Sequence, residues 1–147
     1  MRRLVLMFVS VMMVTPSLAQ SQALPPHAWL FGTWTGGIFP IPAGMTPQAC
    51  LSQPVVIFTR DLVLRATLTE QTLTQREIET VRMTGAGAEF RFAGIGASPT
   101  ALVGGTRGGG FGCDTPDMLT VQRRGENEIS FPGCADFPDP LVRCQTR

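Results

Sequence analysis

The feature that most constrains the fold of this chain is a series of short segments in which apolar and polar residues alternate, separated by turns rich in Gly and Pro. A period of two is that of a β-strand with one buried face, whereas an amphipathic helix needs a longer run with a period near 3.6. The candidate strands are residues 29–39, 55–59, 62–69, 89–92, 118–124, 129–131 and 141–144. The pattern predicts one all-β domain, a small antiparallel barrel or strongly curved sandwich of seven or eight strands.

The segment 72–84 can be interpreted in two ways. Its Gln, Arg and Glu residues would tolerate a helix, but Leu73, Ile78 and Val81 make a poor apolar stripe at helical spacing. Its four Thr residues and its alternation from Ile78 to Arg82 are typical of a solvated strand. We therefore favour a strand that ends in a hairpin turn at 85–87.

The first 19 residues have the pattern of an export signal. A basic start precedes an apolar run over 4–14, and Ser17 and Ala19 supply the small residues of a cleavage site, with cleavage after Ala23 as the alternative. The run is shorter than the roughly 20 apolar residues that a transmembrane helix needs. We therefore expect the leader to be cleaved rather than to serve as an anchor.

Cleavage after residue 19 would leave an extended Pro-rich arm over 20–28 and a single β domain over 29–147. No Cys follows the apolar run, which argues against a lipid anchor. We therefore expect a periplasmic or secreted monomer with no stable membrane anchor.

The four cysteines are expected to form two disulfides. Export would place them in an oxidising compartment, and they lack the C-x-x-C pairs of zinc sites. Four cysteines allow three pairings. A hairpin turn near 125–126 would bring Cys113 and Cys134 towards each other at one end of the ladder, provided that the flanking Gly and Pro bend both segments. This geometry favours Cys113–Cys134 and leaves Cys50 to pair with Cys144.

The composition removes several kinds of catalytic chemistry. The chain has no Lys, no Tyr and a single His, so it lacks a Schiff-base lysine, a phenolic acid and any site that needs two histidines. His27 stands alone among prolines, where a solvated side chain is a simpler interpretation than a catalytic triad. Without Arg2 and Arg3, acidic and basic residues nearly balance, so no nucleic-acid footprint is present. We expect a protein that is not an enzyme and has no cofactor.

Two similar corners, 112–117 and 133–139, flank the predicted hairpin. Both contain Gly-Cys followed by an Asp and then by Pro-Asp. Four acidic residues in one place suggest calcium, but the spacing is not that of a calcium loop, and Asp in such turns usually bonds its own backbone. We therefore expect turn chemistry and no metal at Asp114, Asp117, Asp136 and Asp139.

Residues 32–36, Gly-Thr-Trp-Thr-Gly, resemble the Gly-x-Trp opening of lipocalin-like barrels and of the small exported bacterial protease inhibitors with a related barrel. The resemblance implies that Trp34 closes the barrel floor and that Arg143, near the end of the sheet, stacks across it. The strings GTWTGGIFP and FPGCADFPDPLVRC also resemble a group of exported bacterial proteins, a resemblance that supplies no activity.

The abundance of inward-facing apolar strand residues beside the long Gly-rich loop at 96–112 predicts binding rather than catalysis. The first hypothesis is a small apolar ligand inside the barrel, gated by this loop. We expect the ligand to be lined by Trp29, Phe58, Phe90, Phe92 and Phe111, for which core packing is the competing interpretation. The alternative is an inhibitor or interaction module that presents its arm, 20–27, or its loops to another exported protein.

Overall fold

A computed structural model describes residues 23–39, 42–43, 46, 48, 50, 54–94 and 110–144. A short 3-10 turn precedes eight strands in the described part of the chain. The turn is Ala28–Leu30, and the strands are β1 (Gly32–Gly36), β2 (Val55–Phe58), β3 (Leu62–Ala66), β4 (Thr74–Thr84), β5 (Gly87–Phe92), β6 (Met118–Arg123), β7 (Glu128–Ser130) and β8 (Leu141–Arg143). The predicted leader, 1–19, and residues 96–109 of the Gly-rich loop lie outside the described residues.

Each strand pairs antiparallel with the next one along the chain, and β8 returns to pair with β1. In this closing pair Trp34 is opposite Arg143 and Thr35 is opposite Val142. The eight strands therefore form a closed barrel. The predicted all-β class is confirmed, and of the two architectures considered the protein adopts the barrel.

The ambiguous segment is a strand, as favoured from its alternation. It forms β4, the longest strand, which pairs with β5 through a register shift between Ile78 and Thr80. Most side chains of β4 are exposed, which explains its polar sequence. Arg76 is the one buried residue of β4, at 6% exposure, while Thr74, Ile78 and Val81 are partly buried.

The first strand is shorter than predicted. Residues 28–30 form the 3-10 turn, and the strand that was expected over 29–39 is limited to Gly32–Gly36. Gly36 and Gly37 have φ angles of 107° and 91°, a conformation open to Gly, and they end the strand. The aromatic and Thr residues of this segment favour a strand, but the glycines that follow them end it.

Both predicted disulfides are confirmed, Cys113–Cys134 and Cys50–Cys144. The first joins the two corners that flank the β6–β7 hairpin, with the two Cα atoms 3.8 Å apart. Gly112 and Gly133 precede these cysteines with φ angles of 69° and 74°, which supplies the bend that the hairpin geometry required. The second ties the connection between β1 and β2 to the residue that follows β8.

Candidate functional site

The interior of the barrel is filled by aromatic rings. Phe58, Phe90 and Phe92 form a continuous series with Phe111, with successive ring centroids 5.4, 6.4 and 5.7 Å apart. Each of the four is 1% exposed or less, and Phe131 packs against the last of them. An eight-stranded barrel is just wide enough to be filled by side chains or to hold one small ligand. Four of the five residues predicted to line a ligand contact one another in this interior.

One end of the barrel, which we call the capped end, is closed by the segment before β1. Leu30 is fully buried there, and its carbonyl accepts a hydrogen bond of 2.8 Å from the indole N–H of Trp34. The guanidinium of Arg143 donates to the carbonyls of Phe31 and Trp29. Its central carbon lies 4.3 Å from the centroid of the Trp34 ring. The two residues singled out by the lipocalin-like resemblance thus meet at this end.

His27 belongs to the capped end, and the prediction of a solvated side chain is wrong. It is 3% exposed, with Nε2 3.1 Å from the carbonyl oxygen of Arg60. Its ring makes edge contacts with Phe31 and Phe90, at centroid distances of 5.3 and 5.4 Å. Residues 25–30 turn across the barrel end instead of continuing an extended arm. The imidazole therefore holds the segment before β1, the cap, against the end of the barrel.

The opposite end, which we call the disulfide end, is closed by two buried arginines. Arg65 bonds Asp136 at 3.1 Å, and Arg76 bonds Asp117. Each guanidinium also lies over a core Phe ring. Two of the four corner Asp residues thus pair with buried guanidinium groups. A buried charge needs such a partner, because leaving it unpaired is strongly destabilising. Among the described residues, no three His, Cys, Asp or Glu side chains are grouped so that they could hold a metal ion.

A cleft opens outside the barrel at the capped end, between the β4–β5 turn and the β6–β7 turn. Its volume is about 530 Å³. It is lined by Trp29, Met83, Thr84, Gly85, Ala86, Gly87, Arg123, Arg124 and Gly125. The guanidinium carbon of Arg123 lies 5.3 Å from the centroid of a Trp29 ring, and Met83 is 44% exposed. Trp29, the fifth residue predicted for a ligand site, lines this cleft and also packs against the core cluster.

The capped end carries positive charge that no acidic group of the described chain neutralises by direct contact. The ion pairs of the described residues use Arg65, Arg76, Arg82 and Arg91, and leave Arg123, Arg124 and Arg143 without a carboxylate. Burial lowers the pKa of the Arg143 guanidinium, and the charge of Arg123 lowers it further. The positive charges of Arg123 and Arg143 therefore act on each other at this end.

Sequence reasoning missed this cleft. In the sequence, Arg123 and Arg124 only precede a predicted hairpin turn, and nothing local shows that the β4–β5 turn lies beside them. The register places Gly87 opposite Gln122, so the two turns are neighbours. Counting residues along the strands between the β4–β5 turn and the β6–β7 turn could have predicted that these two turns are neighbours.

No protein-family model, curated protein or solved structure matches the chain. Within the described ranges, none of the helical turns has the length and apolar character needed to cross a bilayer. The function must therefore be inferred from the geometry of the candidate site.

Proposed function

We propose that the protein is a non-catalytic, exported binding protein whose small ligand occupies the cleft at the capped end. The filled interior supports this placement, because the rings of the described barrel already contact one another there. The observation that carries the proposal is the cleft itself, with an indole wall and a volume of about 530 Å³. Ligand sites typically occupy roughly 300–1,000 Å³ and combine apolar walls with a few polar groups.

Native mass spectrometry of the exported protein tests this proposal, because a ligand that co-purifies with the protein adds its mass to that of the chain. Ala86→Trp would fill the cleft from the exposed β4–β5 turn. Gln71→Trp is the matched control, since Gln71 is exposed in the β3–β4 connection at the disulfide end. We expect a bound ligand in the wild type and in the control, and its loss in Ala86→Trp. A ligand retained by both variants, or no ligand in the wild type, would contradict the proposal.

A second candidate function, an interaction module acting on another exported protein, is favoured by Leu24. This side chain is 77% exposed, although the preceding carbonyl, that of Ala23, accepts a hydrogen bond of 2.9 Å from Arg60. An apolar side chain presented on an ordered backbone loses little conformational entropy when a partner covers it. The segment 23–27 would then be the docking element.

Photo-crosslinking distinguishes this second candidate from the first. A photoreactive residue at position 24 is expected to give one discrete adduct in the exporting cell, and the same residue at position 73 none. Leu73 is a suitable control because it is 48% exposed in the β3–β4 connection. Equal labelling from both positions would argue against docking through Leu24, and Leu24→Asp should leave ligand retention in the cleft unchanged.

A further inference from the structure

The walls of the cleft have two different characters. The indole of Trp29 and the thioether of Met83 are apolar, and Met83 is 44% exposed. Arg123 and Arg124 stand together at the end of β6 and carry two guanidinium groups. An occupant that satisfies both parts must itself have an apolar and a charged part.

The two guanidinium groups are differently engaged. Arg123 donates from Nε to the carbonyl of Gly125 at 3.3 Å and packs over Trp29. Arg124 is exposed, and its side chain makes no hydrogen bond or ion pair with the described residues. Donors therefore remain for a ligand at the mouth of the cleft.

The charge at the capped end has a second, independent indication. Arg143 binds two backbone carbonyls and no carboxylate of the described chain, and the charge of Arg123 adds to burial in lowering its pKa. Glu126 and Glu128 are exposed on the same hairpin but do not pair with these arginines. The guanidinium groups of Arg123 and Arg143 thus lie close enough for their charges to interact, and neither pairs with a carboxylate of the described chain.

We infer that the ligand of this cleft is an organic carboxylate, with its anionic group on Arg123 and Arg124 and its apolar group against Trp29 and Met83. The inference rests on the binding role proposed above and names the chemical class of ligand for that site. Guanidinium groups match the planar geometry of a carboxylate and form charge-assisted hydrogen bonds with it.

Other ligand classes leave one part of the cleft unused. A neutral apolar molecule would cover the guanidinium groups without bonding them, which is unfavourable. A simple inorganic anion would leave Trp29 and Met83 without contacts. The charge balance of the chain, 12 basic against 11 acidic residues, supplies no extended basic surface for a nucleic acid.

Isothermal titration calorimetry tests the inference with three probes, which are hydrocinnamate, its neutral amide and acetate. We expect hydrocinnamate to bind at least about tenfold more tightly than either of the others, and its affinity to fall with added salt. The double variant R123Q/R124Q should abolish the preference for the acid. The matched control is R82Q/R91Q, which changes two exposed arginines of β4 and β5 that pair with Glu89 and Glu79. Since Arg123 also contacts Trp29, R124Q alone provides a variant without that packing change.

The outcomes separate this inference from the proposed function. Equal binding of the acid and the amide, lost in Ala86→Trp, would overturn the anionic class and leave the cleft as the binding site. Binding of the acid that survives in Ala86→Trp places it elsewhere and overturns the inference. No heat of binding for hydrocinnamate up to about 10 mM overturns it as well, while the co-purified mass still decides whether the cleft binds a ligand.

Discussion

Trp29 and Trp34 both lie at the capped end, but their indole N–H groups have different surroundings. The group of Trp34 donates to the carbonyl of Leu30. The group of Trp29 is buried and has no hydrogen-bond partner among the described residues. A buried donor without a partner costs free energy, so the two indoles contribute differently to stability.

The two Trp→Phe substitutions should therefore have unequal effects on the free energy of unfolding. Trp34→Phe removes the bond to Leu30, leaves a void at a fully buried position and takes the indole from under Arg143. We expect it to lose roughly 2–4 kcal/mol. Trp29→Phe removes an unpartnered donor and should lose less than about 1 kcal/mol. Urea unfolding followed by far-UV circular dichroism measures both, and equal losses would contradict the assignment.

Counting residues at period two predicted which side chains face inward, but not what they do there. Phe90 and Phe92 were placed on one face, and both are buried. A ring that lines a cavity and a ring that fills one have the same periodicity, so the ligand hypothesis could not be tested from the pattern. The imidazole of His27 contacts the carbonyl of Arg60, 33 residues away, and no local pattern reports that contact.

The strands and turns were largely predictable because their signals are local. The alternation in 72–84 was enough to predict β4, and the predicted hairpin turn near 125–126, with Gly and Pro on either side, was enough to favour one disulfide. Where the prediction was wrong, as in the length of β1, a backbone conformation open to Gly replaced the strand propensity of its neighbours. The segment 72–84 was expected to be solvated, yet Arg76 within it is buried and pairs across the disulfide end with Asp117.

The two disulfides should contribute unequally to stability because they close loops of different length. Cys50–Cys144 spans 94 residues and Cys113–Cys134 spans 21. Loop-closure entropy predicts losses of about 5 and about 3 kcal/mol for the paired Cys→Ala variants. Urea unfolding of the two double variants without reductant measures both values. A larger loss for the Cys113–Cys134 variant would contradict this prediction. It would show that this disulfide stabilises the folded corners in addition to restricting the unfolded chain.

A second prediction for these corners concerns Gly112. A side chain there would place its Cβ 2.6 Å from the backbone nitrogen of Asp136, at a φ angle of 69°. Gly112→Ala should therefore lose about 2 kcal/mol or more in unfolding free energy. Gly125→Ala is the control, since the nearest atom to its Cβ would be 3.9 Å away, in Glu128. Thermal unfolding compares the pair, and a similar change in both would contradict the close approach.

Closure of the barrel is a property of the whole molecule that the sequence left open between a barrel and a sandwich. It depends on the pairing of β1 with β8, about a hundred residues apart, which no local pattern encodes. Once closed, the barrel is sealed at one end by the cap, to which Arg143 donates hydrogen bonds, and at the other by Arg65 and Arg76. Both seals use contacts between distant parts of the chain.

The fold should accordingly unfold as one unit. Far-UV circular dichroism reports the sheet, and tryptophan fluorescence reports the capped end, where both tryptophans lie. We expect the two urea midpoints to coincide, because the cap shares its buried contacts with the strands. A fluorescence transition at lower urea would show instead that the cap detaches before the barrel opens.

The path of the chain at the capped end also affects how the protein can be attached to a sensor or a resin. Ala23, the first described residue, is held by Arg60 at the β2–β3 turn, and β8 ends beside Trp34, so both described termini come to the end that carries the cleft. The sequence has no Lys, so no lysine side chain offers an alternative site for amine coupling. A linker joined directly before Ala23 would therefore turn the cleft towards the surface. Attachment through an engineered cysteine at Gln71, at the disulfide end, would leave it facing the solution.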